Sequence, residues 1–338
     1  MNTHATASVD SPIAEEPDAL TYYAFASEER PEAEAPKDLS TRRHIGEMPT
    51  VLAGRYRIER LLGIGGMGAV YRARDLLREQ FGDPSPYLAI KTLTDDFADY
   101  PDAGALLYTE FALTTQLNHP GVIKLFEFHV DTASQRAFIT LESLQGRTLD
   151  HTLKENPEGL SWETAQAITS ELLAALAYSH RKGILHGDLK PSNIMLTPDG
   201  VRLFDYGLGR AQNGVLEGLP QISRDRFAAW TPRYAALELI EGGMLSEATD
   251  TYAIACVIYE LCSGRHPYRR LNAKQARNME LDKQLEKPEC LPEPCWKALR
   301  AALSLAASDR KIAVEGLAQA FETRRGSSLE RYFGFFCR

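Results

Sequence analysis

No apolar run in this 338-residue sequence approaches the roughly 20 residues that a helix needs to cross a bilayer. The N-terminus, MNTHATASVD, lacks the basic start and apolar stretch of a secretory signal. Both absences predict a soluble, cytoplasmic protein without a membrane span. Cysteine is scarce: Cys256, Cys262, Cys290, Cys295 and Cys337 make an odd five with no metal-ligand spacing. That speaks against a zinc module or a disulfide scaffold, and Cys256 and Cys262 sit in an apolar run where cysteine behaves as a small hydrophobe. Excess positive charge is missing too. A formal net charge of -8 argues against nucleic acid or an anionic membrane as the main partner.

The acidity has a place. Residues 1–50 carry ten acidic side chains against four Lys or Arg, so this stretch alone accounts for -6 of the -8. Residues 1–52 are rich in Glu, Ala and Pro and show no sustained periodicity, the composition of a disordered tail that cannot bury enough surface to fold. The segment is either a solvated spacer or a regulatory or docking arm whose Ser and Thr residues accept phosphate.

From Tyr56 onward the pattern changes. Tyr56–Leu61, Val70–Ala73 and Leu88–Lys91 read as strands, Arg78–Pro86 as a loop and Ala103–Leu117 as a helix. Val122–Phe128 and Ala137–Leu141 read as further strands. Beyond Gly146 helical periodicity dominates, over Thr164–Arg181, Thr251–Cys262, Trp296–Ala307 and Val314–Phe321. The expected organisation is a tail over 1–52, a domain over 53–322 and a short tail over 323–338. Within the domain, a β-rich half spans about 53–142 and a helical half about 147–322. With 44% hydrophobic residues the chain can bury a sizeable core.

Three groups of residues carry chemistry. The first is Gly63-Ile64-Gly65-Gly66-Met67-Gly68-Ala69-Val70 between two predicted strands. Glycines there let backbone N–H groups approach phosphates without an intervening Cβ. The returning strand at Val70-Tyr71 favours a hairpin lid over the strand-to-helix turn of dinucleotide sites. The second is Lys91 in the apolar strand Leu88-Ala89-Ile90-Lys91, and Glu110 on the helical stripe of Leu106, Leu113 and Leu117. A lone buried ammonium and a lone buried carboxylate are both costly, and pairing resolves both; the alternative is two snorkelling surface side chains. The third is His186-Gly187-Asp188-Leu189-Lys190-Pro191-Ser192-Asn193, followed by Asp205-Tyr206-Gly207. Phosphoryl transfer needs an acceptor-orienting base, counter-charges for the γ-phosphate and oxygen ligands for a divalent cation. Asp188, Lys190, Asn193 and Asp205 supply these groups, and a hairpin of Ile194–Leu196 with Val201–Phe204 brings Asn193 and Asp205 to one end.

On these motifs the chain resembles the protein-kinase superfamily, and its GIGGMGAVY and HGDLKPSN segments are most similar to bacterial, eukaryotic-like serine/threonine kinases. The resemblance runs from about Tyr56 to Phe321. It implies the two-lobed α+β protein-kinase fold, ATP with magnesium (manganese as an alternative), and protein substrates with Ser or Thr acceptors. By resemblance, Gly63, Gly65, Gly66, Gly68 and Val70 cover ATP. Lys91 and Glu110 form the ion pair, Asp188 is the catalytic base and Lys190 steadies the γ-phosphate. Asn193 and Asp205 bind the metal. Ala89 and Leu196 sandwich the adenine, and Glu142 begins the segment that hydrogen-bonds it. Thr231-Pro232-Arg233-Tyr234-Ala235-Ala236-Leu237-Glu238 matches the end of the activation segment, with Ser223 inside it. Asp250 and Arg310 anchor that segment, Arg310 as partner to Glu238.

Three positions depart from the pattern: Gly187 stands for the usual arginine, Tyr206 for phenylalanine and Leu237 for proline. None removes a group that touches ATP or metal. Two other readings stay open: a small-molecule phosphotransferase of the aminoglycoside- or choline-kinase type, and a pseudokinase scaffold. Oligomeric state has no signature in the sequence.

Overall fold

The computed structural model describes residues 22–23, 48–65, 68–94, 103–212, 216, 219 and 231–322. Gly66, Ser223 and the aromatic C-terminal residues lie outside them.

The first half is an antiparallel sheet. Strands β1 (Tyr22–Tyr23), β2 (Val51–Leu52), β3 (Tyr56–Ile64), β4 (Gly68–Asp75), β5 (Tyr87–Leu93), β6 (Leu125–Asp131) and β7 (Arg136–Leu141) pair in the order β1-β3-β4-β5-β7-β6, with β2 also on β3. Strand β5 is central and buried along most of its length, as its Leu-Ala-Ile run requires. One face packs Leu52, Tyr56, Ala73, Leu88, Ile90 and Phe138 into a core cluster. Against the other lies helix α2 (Ala103–Thr114), which buries Leu106, Leu107, Leu113 and Glu110.

Two expectations change here. The stretch read as a loop opens with a short helix, α1 (Leu76–Gln80), because the Asp75 carboxylate caps the Leu77 and Arg78 amides. The unstructured stretch expected over 1–52 contains two strands. Leu52 is fully buried, and Tyr22 and Tyr23 stand opposite Ile64 and Gly63. Periodicity cannot reveal two-residue strands, whose stability comes from the partner edge rather than from their own residues.

The second half contains β8 (Arg147–Thr148), α3 (Leu149–Glu155), α4 (Trp162–Arg181), β9 (Ile184–Leu185), β10 (Ile194–Thr197), β11 (Gly200–Leu203) and β12 (Arg210–Ala211). Helices α5 (Leu237–Ile240), α6 (Glu247–Ser263), α7 (Ala273–Asn278), α8 (Glu293–Ala302) and α9 (Val314–Phe321) follow. Helix α6 is buried almost all round, as its apolar sequence predicts. A reciprocal cap between Ser246 and Thr249 starts it. Gly264, at φ 68°, ends it where a Cβ would collide with the Pro157 carbonyl. Its side chains join those of α4, α8 and α9 in the largest core cluster. Helix α8 ends at Ala302, earlier than its apolar pattern suggests. The β10–β11 hairpin pairs Ile194 with Leu203 and Thr197 with Gly200, which sets Asn193 and Phe204 side by side at its open end.

Candidate active site

A cleft with about 430 Å³ of open space lies between the two halves. Val70, Ala89, Leu141 and Leu144 supply its apolar lining from above, and Met195 and Phe204 from below. Strand parity explains the cross-sheet part: Val70 stands opposite Lys91, and Ala89 opposite Leu141. The same parity corrects one sequence expectation. Met195, not Leu196, forms the floor of the cleft. Leu196 is the next residue on β10, so its side chain faces the other way, into the large core cluster. Glu142 lines the cleft edge, with its amide bonded to the Lys124 carbonyl at 3.0 Å and its carboxylate accepting the Lys124 amide at 2.8 Å.

Strands β3 and β4 bring the flanking glycines together. The Gly65 amide donates to the Gly68 carbonyl at 2.7 Å, and Gly63 pairs with Val70. Gly68 must be glycine, because a Cβ there would sit 2.5 Å from the Thr92 carbonyl oxygen.

Lys91 and Glu110 meet as the charge argument requires. The Nζ lies 2.6 Å from both carboxylate oxygens of Glu110 and 3.0 Å from Asp205 Oδ1. Burial pushes the Glu110 pKa up to about 7, with Lys91 opposing that shift and Asp205 adding to it. Burial would raise Asp205 as well, but Lys91 and Lys190 together hold it below the usual range. Asp205 has φ 69°, a conformation that non-glycine residues rarely adopt and that costs about 1–3 kcal/mol.

Across the cleft, Lys190 Nζ lies 2.7 Å from Asp188 Oδ2 and donates to Thr231 Oγ1 at 3.1 Å. The Asn193 side-chain amide donates to the Asp188 carbonyl at 2.8 Å and to its carboxylate at 3.2 Å. This turns Asn193 Oδ1 outward from its own bonds, and that oxygen is buried without a protein partner. That orphaned buried oxygen and the carboxylate of Asp205, the residue after Phe204 at the same end of the hairpin, are hard donors of the kind magnesium takes. The residues present therefore fit a divalent cation.

Beneath this loop sits Asp250, at the first turn of α6. It accepts from the His186 amide at 2.8 Å, the Gly187 amide at 2.9 Å and His180 Nε2 at 2.9 Å. Gly187 adopts φ 81°, so glycine suits this turn without strain. Tyr206 donates or accepts at Ser179 Oγ over 2.9 Å and packs its ring on His186. Arg310 binds Glu238 at 2.6 Å and also donates to the Ser304, Leu305 and Ala248 carbonyls. Leu237 is buried at the start of α5.

A sequence profile described as the protein kinase domain matches residues 56–321. This chain belongs to the protein-kinase family. Its relatives include bacterial serine/threonine-protein kinases. It is 30% identical over 279 residues to PkaA of Streptomyces coelicolor, covering 79% of this chain and 49% of that one. With PknA of Mycobacterium tuberculosis it shares 31% identity over 64% of this chain and 48% of the relative. The chain thus spans about half the length of these relatives. The PknI kinase domain of Mycobacterium tuberculosis superposes with a TM-score of 0.58 over 80% of this chain, at 24% identity, a likeness of fold.

The structure brings together Lys91, Glu110, Asp188, Lys190, Asn193 and Asp205, the residues singled out from sequence. His180 was not foreseen. Its role is set by a partner 70 residues away, and a lone histidine near a helix end carries no signal of that.

Proposed function

We propose that this chain transfers the γ-phosphate of ATP to serine or threonine hydroxyls of proteins, itself among them. The observation that carries this reading is the convergence of Lys91, Asp205, Asn193, Lys190 and Asp188 around one cleft. ATP with its divalent cation supplies the phosphoryl group when bound. Lys91, held by Glu110, would bind the α- and β-phosphates. Asn193 Oδ1 and the Asp205 carboxylate would hold the cation, magnesium by their oxygen chemistry. Asp188 orients the acceptor hydroxyl and takes its proton, and Lys190, tied to both Asp188 and Thr231, offsets the negative charge beside it. Ala89 and Met195 would sandwich the adenine, and Glu142 would begin the segment that hydrogen-bonds it.

The test is phosphosite mass spectrometry after incubating the protein, alone and with a lysate, in ATP and magnesium. Phosphoserine or phosphothreonine should form with wild type and vanish with Asp188→Asn. Transfer only to small-molecule alcohols, or to nothing, would overturn the reading.

A further inference from the structure

Helix α6 ends against a stretch of chain that returns from 28 residues further on, and sulfur marks the junction. The last carbonyls of a helix have no partner within it and must find one outside. The Glu260 carbonyl accepts the Gly264 amide at 2.8 Å, and the Leu261 carbonyl accepts the Leu160 amide at 2.8 Å. The Cys262 carbonyl has a thiol instead: Cys290 Sγ donates to it at 3.3 Å. A second tie lies one turn back, where the Tyr259 hydroxyl donates to the Glu286 carbonyl at 3.0 Å. Tyr259 and Cys262 are at i and i+3, so they share a face of α6. The turn from Pro288 to Leu291, closed by a 3.0 Å amide bond, presents Cys290 to that face.

The two side chains also meet. The thiols of Cys262 and Cys290 are hydrogen-bonded to each other, which sets one sulfur beside the other. Cys290 is half-buried, Cys262 is buried, and both are free. The bond from Cys262 brings the Cys290 pKa down to about 7, with burial opposing, so near neutrality much of it is the nucleophilic thiolate. Cys262 is held as the thiol, raised by that same bond and then by burial. Cys295 is committed elsewhere: its Sγ donates to the Ala320 carbonyl at 3.1 Å, and burial raises its pKa. Cys256 lies further back on α6, fully buried, and burial raises its pKa too. A partly exposed thiolate against a buried thiol is the arrangement of an attacking and a resolving cysteine.

We infer that Cys290 and Cys262 are a modification site at which hydrogen peroxide closes a reversible disulfide, fastening the segment before α8 to the end of α6. The Cys290 thiolate attacks one peroxide oxygen, the O–O bond breaks, and a sulfenic acid forms while hydroxide leaves. The Cys262 sulfur then attacks the Cys290 sulfur and gives up its proton, and the sulfenic oxygen leaves as water. The two thiols lose two electrons and two protons, and the peroxide is reduced to two waters. A dithiol reductant reverses the bond by exchange. Cys262 belongs to the large helical core, with Cys290 packed against it, and neither lines the cleft.

The experiment treats the folded full chain with dilute hydrogen peroxide and maps its thiols by mass spectrometry of proteolytic fragments. A fragment cross-linked through Cys262 and Cys290 should appear, and dithiothreitol should return both thiols. Cys290→Ser, a change on a half-buried turn, should abolish the cross-link, and Cys295→Ser should leave it. A bond between residues 28 apart restricts the unfolded chain, so the oxidised protein should melt about 5 °C above the reduced one. Cys290 carried on to sulfinic acid with Cys262 still a thiol would overturn the inference. A bridge to Cys295, to Cys337 or to a second chain, or no oxidation at all, would do the same. So would a cross-linked form that melts no higher than the reduced protein, because the bond would then form outside the native packing. None of these readouts involves ATP, so the kinase reading stands or falls separately.

Discussion

Two buried carboxylates support the site, Glu110 at the cleft and Asp250 beneath the loop that follows His186, and they are kept in opposite ways. Burial is the largest influence on each, and by itself would raise both pKa values. Glu110 ends at about 7, because its one partner is the Lys91 ammonium, shared with Asp205. Asp250 ends below the usual carboxylate range, because His180 and two backbone amides donate to it. Backbone dipoles fixed by the fold hold a charge more firmly than a single mobile cation does. The lower half of the site is therefore built into the helical core. The upper half holds only while Lys91, Glu110 and Asp205 stay in register.

The largest expected effect lies in the lower half. Asp188→Asn should cut kcat by about 10²–10⁴ while leaving ATP binding near wild type, as measured by single-turnover transfer and nucleotide titration. Thermal unfolding then separates the two carboxylates. Asp250→Ala leaves two buried amides and a histidine nitrogen without a partner, at about 1–3 kcal/mol each, and should destabilise the domain severely. Glu110→Gln should also lose most transfer, yet cost only about 1 kcal/mol of stability, because Lys91 keeps Asp205 and a buried charge is removed. Equal loss of melting temperature in both variants would break the comparison.

A pH series sharpens it. The pKa of Glu260 lies near 7 in the folded protein against an ordinary 4.5, so the native state retains a proton that the unfolded chain has lost. Its contribution should make stability fall as pH rises from about 4.5 to 7. Asp250 has the opposite sign. Its stabilisation is present above its ordinary 3.8 and is lost as pH falls through its lower native value. Melting curves of wild type and Glu260→Gln should converge at low pH, with the variant gaining on wild type towards neutrality. A constant offset across the range would refute the assignment.

The smallest effects are expected outside the core. With Gly187 offering no side chain to a loop phosphate, Ser223→Ala and phosphatase-treated protein should keep most peptide-kinase activity, whereas Thr231→Ala, which loses the bond to Lys190, should not. Among the described residues, a chain beginning at Met48 forfeits the two-residue pairing of Tyr22–Tyr23 with β3, and its melting temperature should stay within about 2 °C of the full chain.

The parts of the site legible in the sequence are those whose chemistry is local or whose cost is visible in one strand. Asp188, Lys190 and Asn193 sit within six residues, and Asp205 follows just past the end of the adjoining hairpin strand β11. Lys91 and Glu110 are 19 residues apart, but each betrayed itself as a charge in an apolar pattern. The Leu196 expectation failed because Met195 and Leu196 are both apolar and both buried, so no alternation marks which one faces the cleft. Helix α1 escaped notice because Asp75, its cap, ends a strand.

By itself the sequence determined the family, the two-lobed order of strands and helices, and the identity of the charged groups that meet at the cleft. These follow from short-range patterns: glycine spacing, hydrophobic periodicity and clustered charges. Only the tertiary structure decided that Asp250 would be met by His180, that Met195 would form the cleft floor, and that Cys290 would lie against Cys262. Each of these depends on chain segments distant in sequence meeting in a close-packed interior. There, partner and facing are set by the packing of whole helices and strands, which no local pattern encodes.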